Sequence, residues 1–297
     1  MSQPPTRIGV ALGGGTARGY AHIGALAALE RHGLAPSVLA GTSFGALMGA
    51  LYAASRTPEE LERQAARLRR RDVLPSVVDV GLHRGALFAG RRLEAYFERL
   101  VEGRTFEDLT RTLVITATDA DTGERVLLRE GPLAPALRAS ASLPGVFAPV
   151  ELGGRRLIDG GIGAPVPLAT LDAFELDLRI GVGAGADAEA SGTIRAILGA
   201  LEHPWGRRVH AAMGRARAGH AGALVRALAW TAEGYRSALQ EDPERAGLQV
   251  HTRPPIHWLR FDRAEDAIRA GEHALERAVP ALRRALAERA LGAASPG

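Results

Sequence analysis

The sequence predicts an α/β sandwich built on parallel strands, and three observations carry that expectation. The first 55 residues read as strand, glycine loop, helix, strand, tight turn, helix. Consecutive strands separated by helices lie parallel, because each connection must cross a face of the sheet. The helical run after the tight turn, residues 44–54, is apolar almost all round, which suits a helix buried between layers. Further strand-like runs then alternate with amphipathic helices.

Taken in order, residues 7–12 are a β-rich run that Gly13-Gly14-Gly15 cannot continue, and 20–31 has helical spacing with Ile23, Leu26 and Ala27 on one side. Residues 38–41 form a short apolar strand. Residues 58–71 are helical, with Thr57 as N-cap. Residues 73–89 have no clear period and read as loop. Leu93, Tyr96, Phe97, Leu100 and Val101 make 91–101 an amphipathic helix. Strands are expected at 113–118 and 124–129 around a turn at 119–123, and a short helix at 133–140. Strands at 146–152 and 156–158 join through Gly153-Gly154, and 178–183 is a further strand. Residues 184–249, rich in Ala, Gly and Arg, read as a helical insertion or lid. Residues 256–261 return to strand composition, and 263–288 is a terminal helix with an interruption expected at Pro280.

The 297 residues, 46% hydrophobic and 24% charged, suffice for one large core. The expected organisation is one domain over 1–297. No apolar run reaches the ~18 residues of a membrane span. The polar start, residues 1–6, lacks the features of a signal peptide, so the expected location is cytoplasmic. Cys, Lys and Asn are all absent. That excludes disulfides, thiolate metal sites, Cys nucleophiles, a Walker A or Schiff-base lysine, a Ser-Lys dyad and N-glycosylation. The net charge is only +4 and aromatics are 5%, which does not suit a nucleic-acid surface. Peripheral contact with anionic lipid stays open. Oligomeric state is not legible.

Three motifs concentrate the chemistry. Gly41-Thr42-Ser43-Phe44-Gly45 fits the nucleophile elbow G-x-S-x-G, in which a sharp strand-to-helix turn projects a serine and flanking glycines let the backbone pack closely. Gly13 to Gly19 (GGGTARG) opens a helix and offers free N–H groups to an anion. Neither register satisfies G-x-G-x-x-G, because Arg18 or Thr16 falls where glycine is required, so dinucleotide binding is disfavoured. Asp159-Gly160-Gly161 ends a short strand. No H-E-x-x-H occurs, and Asp119-x-Asp121 reads as a hairpin turn rather than a metal site. Ser140 and Ser142 lack an elbow and read as capping or packing residues. His22 reads as packing beside the glycine loop.

Together, in this order, the three motifs resemble the patatin-like phospholipases. The resemblance is nearest to compact bacterial members that share their catalytic domain type with neuropathy target esterase. It extends to LAGTSFGALMGALYA at 39–53, Gly90-Arg91-Arg92-Leu93, Thr118-Asp119 with Thr122-Gly123, LRASASLPGVFAPV at 137–150 and LIDGGIGAPVP at 157–167. The resemblance implies a three-layer α/β/α sandwich with a mainly parallel sheet. It implies a hydrolase of lipid or acyl esters with Ser43 as nucleophile and Asp159 as general base. The amides of Gly14, Gly15 and Thr16 would form the oxyanion hole, and Arg18, Gly19, Gly41, Gly45, Gly160 and Gly161 would support the site. No metal or cofactor is implied. Thr16 departs from the family, where many members have glycine, and could narrow the hole or donate a hydrogen bond. Two alternatives remain: an α/β-hydrolase triad in the order Ser43…Asp159…His257, since six histidines follow Asp159, and a non-catalytic regulatory protein that keeps the fold.

Overall fold

The computed structural model describes residues 6–67, 79–83, 86–144, 146–184, 247–257 and 260–294. The central sheet has eight strands, in the order β10-β9-β1-β2-β5-β8-β7, with β6 pairing separately with β5. These are β1 (Ile8–Leu12), β2 (Val38–Thr42), β5 (Thr112–Asp119), β6 (Arg125–Leu128), β7 (Val150–Leu152), β8 (Arg155–Asp159), β9 (Leu178–Gly183) and β10 (Leu248–His251). From β10 to β5 every pairing is parallel, while β6, β7 and β8 are antiparallel to their neighbours. β3 (Val80–His83) and β4 (Ala86–Phe88) form a separate antiparallel hairpin.

Both faces of the inner strands are covered, which is why β1 and β2 are buried at every residue. Side chains alternate along a strand. Val10, Leu12 and Leu39 join the large core beneath α1 (Ala21–Arg31) and α2 (Phe44–Ala53), together with residues of α5 (Leu133–Ser140) and α6 (Ala264–Ala294). Ala11, Val38 and Ala40 point the other way, onto Leu168, Leu171 and Leu176, in and beside the 3-10 segment Leu168–Ala173. The sheet is thus the middle of three layers, in the α/β/α order. α3 (Pro58–Arg67) and α4 (Arg91–Val101) complete the helical side.

Terminal helix α6 packs along α1 at very close range. A Cβ on Gly24 would overlap the Ile268 carbonyl oxygen, and one on Gly271 would overlap that of Ala21. The far end of the contact is polar: Arg31 reaches Glu272 and Glu276 at 2.7 and 2.8 Å, and His32 meets Glu276 at 2.7 Å.

Four expectations from sequence need correcting. Residues 80–83 and 86–88, within the expected loop, form the antiparallel strands β3 and β4, which are too short to show a period. The end of the expected 184–249 insertion is strand β10; residues 185–246 lie outside the described residues. Residues 256–257 and 260–261 are not strand: Phe261 begins the 3-10 segment Phe261–Arg263. Finally, α6 continues through Pro280 without a break. No helix among the described residues is long and apolar enough to cross a membrane.

Candidate active site

Ser43 stands between β2 and α2 with φ 53° and ψ −121°. A residue with a side chain enters that region only where the surroundings impose it. The imposition is visible at both flanks. A Cβ on Gly41 would lie 2.5 Å from Ala46 Cα, and one on Gly45 would overlap the carbonyl oxygens of Leu12 and Gly13. The glycines at these positions let strand, helix and glycine loop meet in one tight corner. The Ser43 N–H donates to Ser140 Oγ at 2.8 Å, and its carbonyl accepts from Leu47 N–H at 3.2 Å.

Asp159 reaches the same corner because of how β5 is paired. Thr116 of β5 pairs with Thr42 of β2, and the next residue, Ala117, pairs with Asp159 of β8. β6 holds the opposite edge of β5 over the same stretch. β8 therefore takes over the row that β2 leaves, and the two strands end facing each other, one at Thr42-Ser43 and the other at Asp159. The Asp159 carboxylate accepts from the Gly161 N–H at 2.7 Å and has Ser43 beside it, close enough to pull its pKa down. Burial lifts its pKa to about 6, against the downward pull of the Gly161 N–H and of Ser43. Its backbone is fixed as well: the N–H donates to the Ser142 carbonyl at 3.0 Å, and the carbonyl accepts from Thr118 Oγ1 at 3.1 Å. Gly160 packs where a Cβ would overlap the Thr116 carbonyl.

The loop from β1 closes the third side. Gly13 N–H donates to Val182 and Gly14 N–H to Pro165, at 2.9 and 3.0 Å. Gly14 lies against Ser43: a Cβ there would sit 3.6 Å from the Ser43 Cβ. The Gly14 amide is thus occupied, whereas the N–H groups of Gly15 and Thr16 meet no acceptor among the described residues. Thr16 has φ 49°, and its hydroxyl donates to the Gly15 carbonyl at 2.7 Å. Arg18 ties the loop to the chain before α6 through Nε and the Ile256 carbonyl, at 2.9 Å. Gly19 faces the Phe44 ring, with no room for a Cβ.

His22 is fully buried, and Nε2 lies 2.7 Å from the Gly13 carbonyl. A carbonyl only accepts, so Nε2 carries the proton and holds the loop in place. Burial pushes the ring down to about 4, which keeps it neutral. Thr42 Oγ1 donates to the Ala164 carbonyl at 3.0 Å and accepts from Thr116 Oγ1 at 2.6 Å, tying β2 to the turn after Asp159. Sequence reasoning gave Thr42, Thr116 and Thr118 no role of their own; Thr42 and Thr118 appeared only inside motifs. Their signal was the short alternation of threonines in strand-like runs.

Of the histidines after Asp159, His251, His257 and His273 are exposed, whereas Asp159 is buried at 8% exposure. His203, His210 and His220 lie outside the described residues. No group of three His, Cys, Asp or Glu side chains capable of holding a metal gathers among the described residues.

An uncharacterized NTE family protein of Mycobacterium tuberculosis is 37% identical over 174 residues, 59% of this chain and 48% of that protein. Patatin-like phospholipase domain-containing protein 6 of Homo sapiens is 33% identical over 158 residues, 52% of this chain and 12% of that protein. The chain thus spans about half the length of the mycobacterial relatives. Among solved structures, VipD from Legionella pneumophila aligns over 95% of this chain and 68% of its own, at TM-score 0.49 and 13% identity. The sequence model of the patatin-like phospholipase family matches residues 10–172, a span that holds the glycine loop, the elbow and Asp159. The chain belongs to the patatin-like phospholipase family.

Proposed function

We propose that the chain is a serine hydrolase of lipid acyl esters, working through a Ser43–Asp159 dyad. The observation that carries this reading is the placement of Ser43, in its strained elbow, beside a buried Asp159 whose pKa is raised to about 6. A carboxylate near 6 is largely ionised at neutral pH yet a far better base than an ordinary one.

In this reaction the Ser43 Oγ attacks the ester carbonyl while Asp159 takes its proton. The carbonyl π pair moves to oxygen, and the free amides of Gly15 and Thr16 receive that oxyanion. Gly14, its own amide engaged by Pro165, shapes the hole without donating to it. The N-terminus of α2 adds a favourable partial charge beside the alkoxide. As the oxyanion collapses, the ester C–O bond breaks and Asp159 returns the proton to the departing alcohol. Water, deprotonated in turn by Asp159, attacks the acyl-Ser43 ester; the Ser43 Oγ–acyl bond breaks, Asp159 returns the proton to Ser43 Oγ, and the acid is released. Among the described histidines after Asp159, the exposure of His251, His257 and His273 speaks against a triad through any of these three.

The test pairs covalent labelling with turnover. A fluorophosphonate is expected to add once, at Ser43, and Ser43→Ala should lose both the adduct and the hydrolysis of nitrophenyl and phospholipid esters. Hydrolysis by Ser43→Ala at the wild-type rate would remove the serine mechanism. Intact labelling without turnover of any ester would favour the regulatory alternative.

A further inference from the structure

We infer that Ser140 is a positioning residue of the active site, holding Ser43 through its backbone amide and tying it to the strand on which Asp159 is registered. This rests on the dyad reading above. The run 137–150 stands out in the sequence, yet the reaction itself uses none of its side chains.

Ser43 needs an external hold, because its φ and ψ are not a conformation a serine adopts unaided. Among the described residues its N–H has one partner, Ser140 Oγ, at 2.8 Å. That hydroxyl is fully buried and donates onward to the Thr116 carbonyl at 2.7 Å. A hydroxyl is the group that can both accept from an N–H and donate to a C=O. Thr116 is the residue at which β2 leaves the edge of β5, and Ala117, the next residue, is paired with Asp159. Two residues beyond Ser140, the Ser142 carbonyl accepts the Asp159 N–H. The end of α5 thus grips both halves of the dyad by their backbones.

This end of α5 is itself anchored. Arg138 is 2% exposed, and its guanidinium donates to the carbonyls of Gly90, Ala89 and Ala148 at 2.9, 3.0 and 2.8 Å, and to Ser142 Oγ. A rigid support of this kind is what keeps a reacting atom within a fraction of an ångström of its place.

The experiment compares Ser140→Ala, Ser140→Thr, Ser43→Ala and Ser37→Ala. Ser37 donates a hydroxyl to the Ile8 carbonyl at the far end of β1 and serves as the control for a lost hydroxyl. Each variant is titrated with a fluorophosphonate, so that the endpoint counts folded sites and the rate reports the nucleophile. Ser140→Ala is expected to label to a full endpoint but about 10- to 100-fold more slowly, with kcat falling in parallel and KM unchanged. That is the scale of loss from slight misplacement of a reacting group. Ser140→Thr, which keeps the hydroxyl, should recover most of the rate, and Ser37→Ala should match wild type.

A wild-type labelling rate in Ser140→Ala, with Ser43→Ala inert, would overturn the role of Ser140 and leave the dyad standing. So would a loss confined to the endpoint, which means misfolding, or a slow rate that Ser140→Thr does not recover. Activity in Ser43→Ala would overturn both.

Discussion

Ser43 and Asp159 each hold an unfavourable state: the serine a backbone conformation costing ~1–3 kcal/mol, the aspartate a charge in a buried place. Both were legible in the sequence because their chemistry is packed into short motifs, with glycines marking where backbones must touch. Ser140 was not legible as a functional residue. Its partner is an amide 97 positions away, and nothing local marks a serine that serves another residue's backbone. Nor does a motif reveal that the Gly14 amide is already spent on Pro165. The burial of Asp159 has a direct kinetic consequence. With Asp159 as the proposed base, its carboxylate is the active form, so kcat/KM should rise with pH through an apparent pKa of about 6 and then level off. An ordinary exposed aspartate would place that limb at ~3.9. A pH–rate profile of the wild type on an uncharged ester checks this, and a limb near 4 would mean that Asp159 is not the buried base.

At the level of elements, most segments were read correctly, including the short strands β2, β6 and β8, whereas β3, β4 and β10 were not. The helices at 21–31, 44–53 and 91–101 and the strands at 8–12 and 178–183 carry enough residues for a period to show. β3, β4 and β10 have three or four residues each, and their identity comes from pairing partners rather than from pattern. Residues 256–261 have strand composition, yet the Ile256 carbonyl is committed to Arg18. Pro280 sits within a continuous α6 because packing along α1 outweighs local propensity. That packing rests on two glycines, so Gly24→Ala and Gly271→Ala should each force α1 and α6 apart. Overpacking of this kind costs ~1–3 kcal/mol, lowering Tm by roughly 2–4 °C per kcal/mol in a chain of this size. Once the helices have separated for one methyl, the second meets less resistance. The double variant should therefore lose less than the sum of the singles, as thermal melts of all four proteins would register. Strict additivity would mean that the two contacts yield independently.

Over the whole molecule, the site exists because the sheet changes character at β5. Parallel pairing brings β2 to its end at Thr42, antiparallel β8 resumes the same row, and the chain ends of the two strands face each other. No local stretch encodes that handover; it is a property of the assembled sheet. The same assembly buries Asp159 and His22 close to one loop, and both couple folding to pH, with opposite signs. His22 has its pKa lowered from 6.5 to about 4. The unfolded chain takes up that proton first, so the stability due to neutral His22 is complete above 6.5 and is lost as pH falls toward 4. Asp159 has its pKa raised from 3.8 to about 6. Here the folded state binds the proton more readily. The destabilisation from its buried charge is complete above 6 and fades as pH falls to 3.8. A shift of this size corresponds to ~3 kcal/mol at ~1.4 kcal/mol per pKa unit, as an upper figure. Asp159→Asn removes that charge and keeps an oxygen to accept the Gly161 N–H. Asp159→Asn should therefore melt roughly 5–10 °C above wild type at pH 8, with the gap closing as the pH approaches 4. Because His22 is present in both proteins, its contribution cancels in the difference. Melting both proteins across pH 4 to 8 decides the matter: a gap that does not change with pH would show that the carboxylate is not held above its ordinary pKa.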